Sequence, residues 1–293
     1  MKTRPALKLA LAVTTAFTVA LCLWAFWLEP ASLTVAEQHL DIPWPGRRPL
    51  RIAVLTDLHV GSPFNGLGKL RAIVARTNAA KPDIICILGD LVIQGVIGGR
   101  FVPPEAIAKE LAGLRAPAGV IAVLGNHDGW LGHDRVQHDL EQVGIRVVED
   151  TAALVDTPGG PVWVAGVSDL WTGRHDVDAA LATVPADGSP VLLLTHNPDI
   201  FPAVPDRVTL TLAGHTHGGQ VRLPFVGALI VPSSPRYTAG LIVEGGRHLF
   251  VSTGLGTSRL PVRFRVPPAV TLLTVGDAPA VASHDGRPGR GAP

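Results

Sequence analysis

The sequence has almost no cysteine, no surplus of charge and no internal repeat. Cys22 and Cys86 are the only cysteines in 293 residues. One falls in an N-terminal apolar segment and the other in a predicted core strand. That excludes a disulfide framework and leaves no thiolate cluster for a structural zinc. Lys and Arg number 25 against 24 Asp and Glu, a formal net charge of +1. Nucleic-acid binding leaves a basic footprint, and this balance gives no electrostatic reason to expect one. Charge is also missing locally, from Leu9 to Leu28.

That uncharged stretch is twenty residues long. At about 1.5 Å of rise per residue it spans the roughly 30 Å hydrocarbon core of a bilayer. Lys2, Arg4 and Lys8 precede it, and Trp24 and Trp27 stand near its far end, where an interface belt would lie. A cleaved signal peptide has a shorter apolar region, about 7–15 residues, and ends in a small-x-small site. Here Leu28-Glu29-Pro30 follows Trp27 instead. Residues 1–30 are therefore expected to be an uncleaved signal anchor in the inner (cytoplasmic) membrane, outside the globular fold. The basic side stays in the cytoplasm, which places the rest of the chain on the outer, periplasmic side.

Residues 31–50 read as a linker broken by Pro43, Pro45 and Gly46. With 47% hydrophobic residues, the remainder is ample for one large core. Strands are predicted at Ile52–Thr56, Asp83–Leu88, Val120–Leu124, Val162–Gly166, Val191–Thr195 and Val208–Leu212. Helices are predicted at Leu67–Ala79, Pro104–Leu114 and His133–Val143. This alternation indicates α/β layering over residues 51–276. Further strands at Leu229–Val231, Leu241–Glu244, His248–Ser252 and Val270–Val275 come without helices, so the sheet should become mixed or split in two. Residues 277–293, rich in Gly, Pro and Arg, are expected to be a disordered tail.

The chemistry sits just after the strands. They end in Asp57-Leu58-His59, in Gly89-Asp90, in Gly125-Asn126-His127-Asp128, in His196-Asn197 and in Gly214-His215-Thr216-His217. Asp57 and His59, two apart, face the same way because side chains alternate along a strand. Neutral imidazole is the commonest protein metal ligand, and glycine lets the backbone approach closely. Any one of these ends could be a polar turn. Five in succession put metal-capable groups on the rim where open α/β sheets hold their ligands.

DLH, GD, GNHD, TH and GHTH, in that order, resemble the calcineurin-like metallophosphoesterase superfamily, over about Arg51 to Val275. The resemblance implies a four-layer αββα sandwich of two mixed sheets with a dinuclear site along one edge. It implies that Asp57, His59, Asp90 and His217 bind one divalent cation. Asp90, Asn126, His196 and His215 would bind the other, with Asp90 bridging. His127 would contact the substrate, with Asp128 as its orienting partner. The residue types suit that assignment. Two cations about 3.5–4 Å apart need a shared carboxylate, and together they activate water and clamp phosphoryl oxygens. His127 can stabilise developing charge or protonate the leaving oxygen, typically worth about 10²–10⁴-fold. Oxygen and imidazole donors suit Mn²⁺, Fe or Zn²⁺ without selecting among them.

The expected activity is hydrolysis of a phosphodiester or pyrophosphate. The N-terminal anchor, TDLHVG, GHTHGGQ and the segment GLGTSRLPVRF-x-VPP resemble a bacterial membrane-associated branch. Some of its members act on lipid-linked substrates such as UDP-2,3-diacylglucosamine of the lipid A pathway. Two positions depart from that branch: Ala269 follows Pro267-Pro268 where an acidic residue is usual, and Ser168 precedes Asp169 in place of a second carboxylate. The outer orientation also conflicts with a cytosolic nucleotide-lipid. The rival to an enzyme is a non-catalytic metal-binding or scaffold relative, but all seven ligands and His127 are present.

Other residues have two readings. Arg259, Arg263 and Arg265 could fork onto phosphate or lie on a surface hairpin. His133 and His138 could overlie the substrate, although solvated helix positions are the simpler expectation. Trp130 and Trp171 could line a lipid-accepting groove, with core packing the expectation for Trp171. Arg222 and Tyr237 are candidate rim residues.

Overall fold

The computed structural model describes residues 3–276, so the expected tail lies outside the described residues. Strands β1 (Thr34–Leu40), β2 (Leu50–Leu55), β3 (Ile84–Leu88), β4 (Val120–Val123) and β5 (Arg146–Val147) share a sheet with the last strand, β14 (Ala269–Val275). Its order is β1-β14-β2-β3-β4-β5, with β2 to β5 parallel and β14 antiparallel to β2. The second sheet holds β6 (Thr151–Thr157), β7 (Gly160–Val167), β8 (Val191–Thr195) and β9 (Leu210–Ala213). After a separate two-stranded hairpin, β10 (Arg222–Leu223) and β11 (Gly227–Ala228), it is completed by β12 (Gly240–Glu244) and β13 (Arg247–Val251). Its order is β12-β13-β9-β8-β7-β6, with β7, β8, β9 and β13 parallel.

The near-continuous apolar runs follow from burial on both faces. In β2, Ile52 and Val54 pack between the sheets, while Ala53 and Leu55 pack beneath helices. In β8, Leu192 and Leu194 point into the same inter-sheet core, and Val191 and Leu193 point away from it. Helices α3 (Leu67–Ala79), α4 (Pro104–Leu111) and α5 (Asn126–Gln142) cover the first sheet with Leu70, Ile73, Ile107, Leu111, Val136 and Leu140. Helix α6 (Val177–Leu181) and the 3₁₀ turn Pro198–Ala203 cover the second with Leu181 and Phe201. The result is a four-layer αββα sandwich with two mixed sheets.

Helix α1 (Thr3–Leu23) runs through a π-helical turn, Trp24–Leu28, into α2 (Glu29–Ala31). Pro5–Ala31 is long and apolar enough to cross a membrane. Its end is not separate from the globular fold, because Glu29 is buried and Arg263 N donates to Ala25 O at 2.9 Å. Residues 34–40 correct the linker expectation. They pair in parallel with β14 as an edge strand, whose mostly exposed residues carry little apolar alternation to read. Edge strand β6 escaped notice in the same way. Residues 229–231 are irregular where a strand was expected, and α5 starts at Asn126, seven residues before the predicted His133. Gly129 and Gly132 conceal that start, and Gly132 kinks the helix at φ 139°.

Candidate metal centre

The strand ends converge on one edge of the sandwich. Asp57, His59, Asp90, His215 and His217 all have left-handed backbones, with φ between 40° and 68°. Such conformations are uncommon outside glycine and cost free energy, and here they cluster at successive strand ends. Two glycines allow the close approach. A Cβ on Gly89 (φ 84°) would stand 2.3 Å from Gly125 N, where the end of β3 meets the start of α5. A Cβ on Gly214 would stand 2.0 Å from Thr56 Oγ1, where β9 meets β2 and the two sheets touch.

Three groups of side chains meet there: Asp57, His59 and His217; His59, Asp90 and His127; Asp90, His196 and His215. Asp90 Oδ2 lies 3.5 Å from His59 Nε2, 3.3 Å from His196 Nε2 and 4.0 Å from His127 Nε2. Asp57 Oδ1 lies 3.2 Å from His217 Nε2. The second oxygens are committed elsewhere. Asp57 Oδ2 accepts from the Thr56 hydroxyl at 2.9 Å and from His215 N at 3.1 Å, and Asp90 Oδ1 accepts from His127 N at 2.9 Å. His59 Nδ1 faces Val92 O at 3.2 Å and His196 Nδ1 faces Leu88 O at 2.7 Å. Each carbonyl takes the Nδ1 proton and turns Nε2 into the centre, the usual support for a ligating histidine.

The donor set fits divalent cations. Asp57 Oδ1, Asn126 Oδ1, His215 Nε2 and His217 Nδ1 are buried without a hydrogen-bond partner. His59 Nε2 stands 3.1 Å from His217 Nε2, and His215 Nδ1 stands 3.1 Å from His196 Nε2. Imidazole nitrogens are crowded together as they would be around a shared electrophile. Burial lowers His59 and His215 to about 3, and His217 well below its usual value, so these rings are neutral and ready to ligate. Burial raises Asp57 to about 6. Burial also opposes charge on His196, but the Asp90 carboxylate outweighs it and lifts that imidazole to about 10. A proton there occupies the place a cation would take.

Asp128 corrects an expected role. Its carboxylate accepts from Leu91 N at 3.0 Å, Val92 N at 3.3 Å and Gly125 N at 3.0 Å, and makes no hydrogen bond to His127. It staples the start of α5 to the loop after β3. What positions His127 is its backbone bond to Asp90 and its ring contacts, edge-on to His59 at 4.7 Å and tilted against Trp130 at 5.1 Å. Trp171 is half-exposed rather than core. Its ring meets His215 edge-on at 4.5 Å and stacks on Trp130 at 6.2 Å, so the two indoles wall one side of the centre. Trp130 stands three residues from His127 on one helix, a spacing that could have signalled the contact. Trp171 had no such signal.

Arg263 fulfils neither expectation set for it. It is fully buried, and its guanidinium donates to the carbonyls of Gly256, Val266 and Thr253. His138 is exposed, as expected, whereas half-buried His133 faces Glu149 at 3.2 Å. Tyr237 is buried against Phe201, and Arg222 and Arg259 are exposed on the rim.

The calcineurin-like phosphoesterase family model matches residues 50–219, over half of the chain. The chain is a calcineurin-like phosphoesterase. Among curated relatives of this phosphoesterase is the uncharacterized metallophosphoesterase YkuE of Bacillus subtilis, 33% identical, covering 86% of this chain and 88% of its own. Phosphodiesterase YaeI of Escherichia coli is 32% identical, covering 84% and 90%. A zebrafish transmembrane protein with a metallophosphoesterase domain is 28% identical, covering 78% of this chain and 54% of its own. The phosphoesterase is thus a metal-dependent hydrolase of phosphoric esters that works with two divalent cations.

Proposed function

We propose that this phosphoesterase is a membrane-anchored phosphodiesterase acting on a lipid-linked substrate on the outer side of the membrane. Asp57, His59, Asp90 and His217 would hold one cation. Asp90, Asn126, His196 and His215 would hold the other. The observation that carries the assignment is two ligand clusters, Asp57–His59–His217 and Asp90–His196–His215, joined by Asp90 Oδ2 lying 3.5 Å from His59 Nε2, with unpartnered buried polar atoms in both. When bound, the cations supply a water-derived nucleophile at neutral pH and Lewis-acid stabilisation of the phosphoryl oxygens.

The chain's own residues do the rest. The carbonyls of Val92 and Leu88 fix the rings of His59 and His196. His127, kept neutral by burial, offers one N–H to a leaving or non-bridging oxygen. Trp130 and Trp171 exclude water from one side and present apolar faces to the leaving group. A diester is favoured by the name of the Escherichia coli relative, and a lipid by these indoles and the apolar helix. The outer orientation separates this chain from UDP-2,3-diacylglucosamine, which is cytosolic, and favours lipid phosphodiesters of the outer leaflet. The test is a panel of lipid phosphodiesters and nucleotide-lipids given to the full-length protein in nanodiscs, with products identified by mass. Protease is added in parallel to intact spheroplasts. Cleavage of an outer-leaflet lipid and digestion of the domain are expected. Protection until lysis, with turnover of the nucleotide-lipid, would reverse both assignments.

A further inference from the structure

We propose that the loops around the metal centre form a bilayer-docking surface, pressed onto the leaflet where α1 ends. The proposal rests on the anchor assignment above. It starts from how the helix meets the domain. Val266 N donates to Glu29 Oε1 at 2.5 Å, and Trp24 Nε1 donates to Glu29 Oε2 at 2.6 Å. Lys69 Nζ donates to Pro30 O at 2.7 Å, and the Trp27 ring lies 5.8 Å from that of Phe64. Together with the Arg263–Ala25 bond, these contacts leave no free tether between span and domain. The face beside the helix exit therefore has a fixed relation to the membrane.

The loops of that face are tied to one another. Arg100 N donates to Gly61 O in the Phe64 turn, and Ile97 N donates to Arg259 O. Gln220 Nε2 donates to Ser258 O, and Arg222 N donates to Phe264 O at the base of the β10–β11 hairpin. Along this path Phe64, Ile97, Leu260, Leu223, Phe225 and Val226 are exposed, and Phe225 at the hairpin tip is fully so. Exposed apolar side chains gathered on loops that are bonded to one another mark an interaction site. The hairpin begins five residues after His217 in sequence, so it is fastened directly to the metal centre.

Charge selects the occupant. Residues 58–70, 91–104, 220–243 and 253–268 contain no Asp or Glu, while Arg100, Arg222, Arg259 and Arg265 are exposed there. The opposite edge of the sandwich, at the N-terminal ends of the parallel strands, is mixed in charge: it exposes Asp41, Asp156, Asp187 and Asp206 together with Arg47, Arg48, Lys81 and Arg207. Apolar tips ringed by arginine with no acid fit an anionic lipid surface, into which such groups sink by about 5–10 Å. The centre then opens into the interface, and a lipid phosphodiester reaches it without leaving the leaflet.

The test uses full-length protein in nanodiscs of phosphatidylcholine and phosphatidylglycerol. Cys22→Ser removes the exposed thiol, and Cys86 is buried. A spin label is placed through Phe225→Cys, through Ala186→Cys on the opposite edge, or through Val19→Cys in the span. Collision with oxygen and with a nickel chelate reports depth. Unchanged turnover of bis(p-nitrophenyl) phosphate by each labelled protein shows that the fold is intact. Labels at 19 and 225 should both be shielded from nickel and open to oxygen, with 186 the reverse. Nickel access at 225 with protection at 19 overturns the docking surface alone. Nickel access at 19 overturns the anchor, and the docking surface with it.

Discussion

The two sheets bring different chemistry to one centre. The first brings both carboxylates, Asp57 and Asp90, with His59, Asn126 and His127. The second, through the ends of β8 and β9, brings only imidazoles: His196, His215 and His217. Carboxylates alone would repel one another in a dry pocket, and imidazoles alone would leave cation charge uncompensated. Neither half makes a dinuclear site. The centre exists only where the sheets touch, at Thr56 and Gly214, so catalysis depends on sandwich packing.

The sharpest way to break this comparison is at Asp90, whose Oδ2 faces His59 from the first sheet and His196 from the second. Asp90→Asn keeps the shape and removes the shared charge, so turnover should fall to background and the protein should lose at least one metal by elemental analysis. Two metals with normal turnover would remove Asp90 from its role. Next in size is His127→Ala, on the carboxylate side but proposed to face substrate. It should cost about 10²–10⁴-fold in turnover while metal content stays at the wild-type level. Metal loss would instead make His127 a ligand.

Gly214→Ala attacks the seam itself. Its Cβ would meet Thr56 Oγ1 at 2.0 Å and Asp57 Oδ2 at 2.9 Å. Overpacking of this kind costs roughly 1–3 kcal/mol, so denaturant melts should shift and metal affinity should fall together. An unshifted melt would mean the seam yields freely. The smallest effect concerns Glu149, on the crossing from the first sheet to the second. Hydrogen bonding to Glu149 raises the pKa of His133. A raised folded value means this contribution is complete below about 6.5 and is lost as pH rises through the raised value. His133→Gln should flatten that loss, by under about 1 kcal/mol because the pair is partly solvated. Equal pH profiles for both proteins would show that the pair contributes nothing.

The cluster of candidate ligands was legible because its residues are carried on short motifs at strand ends. The four-layer sandwich came only through the resemblance carried by the motifs, whereas the α/β layering was legible from apolar runs buried on both faces. Residues 34–40 were not, because an exposed edge strand needs no apolar alternation. Asp128 looked like a partner for His127 through sequence proximity, yet its oxygens are taken by backbone N–H groups at Leu91, Val92 and Gly125. Arg263 and Trp171 act on residues distant in sequence, Ala25 and His215, and no local pattern announces such contacts.

The most direct measurement is anomalous scattering from crystals of the protein loaded with Mn²⁺. The account predicts two peaks about 3.5–4 Å apart, one on each side of Asp90. The first should be bounded by Asp57, His59 and His217, and the second by Asn126, His196 and His215. A single peak, or a second one away from Asp90, would contradict the shared-carboxylate centre on which the proposed chemistry depends.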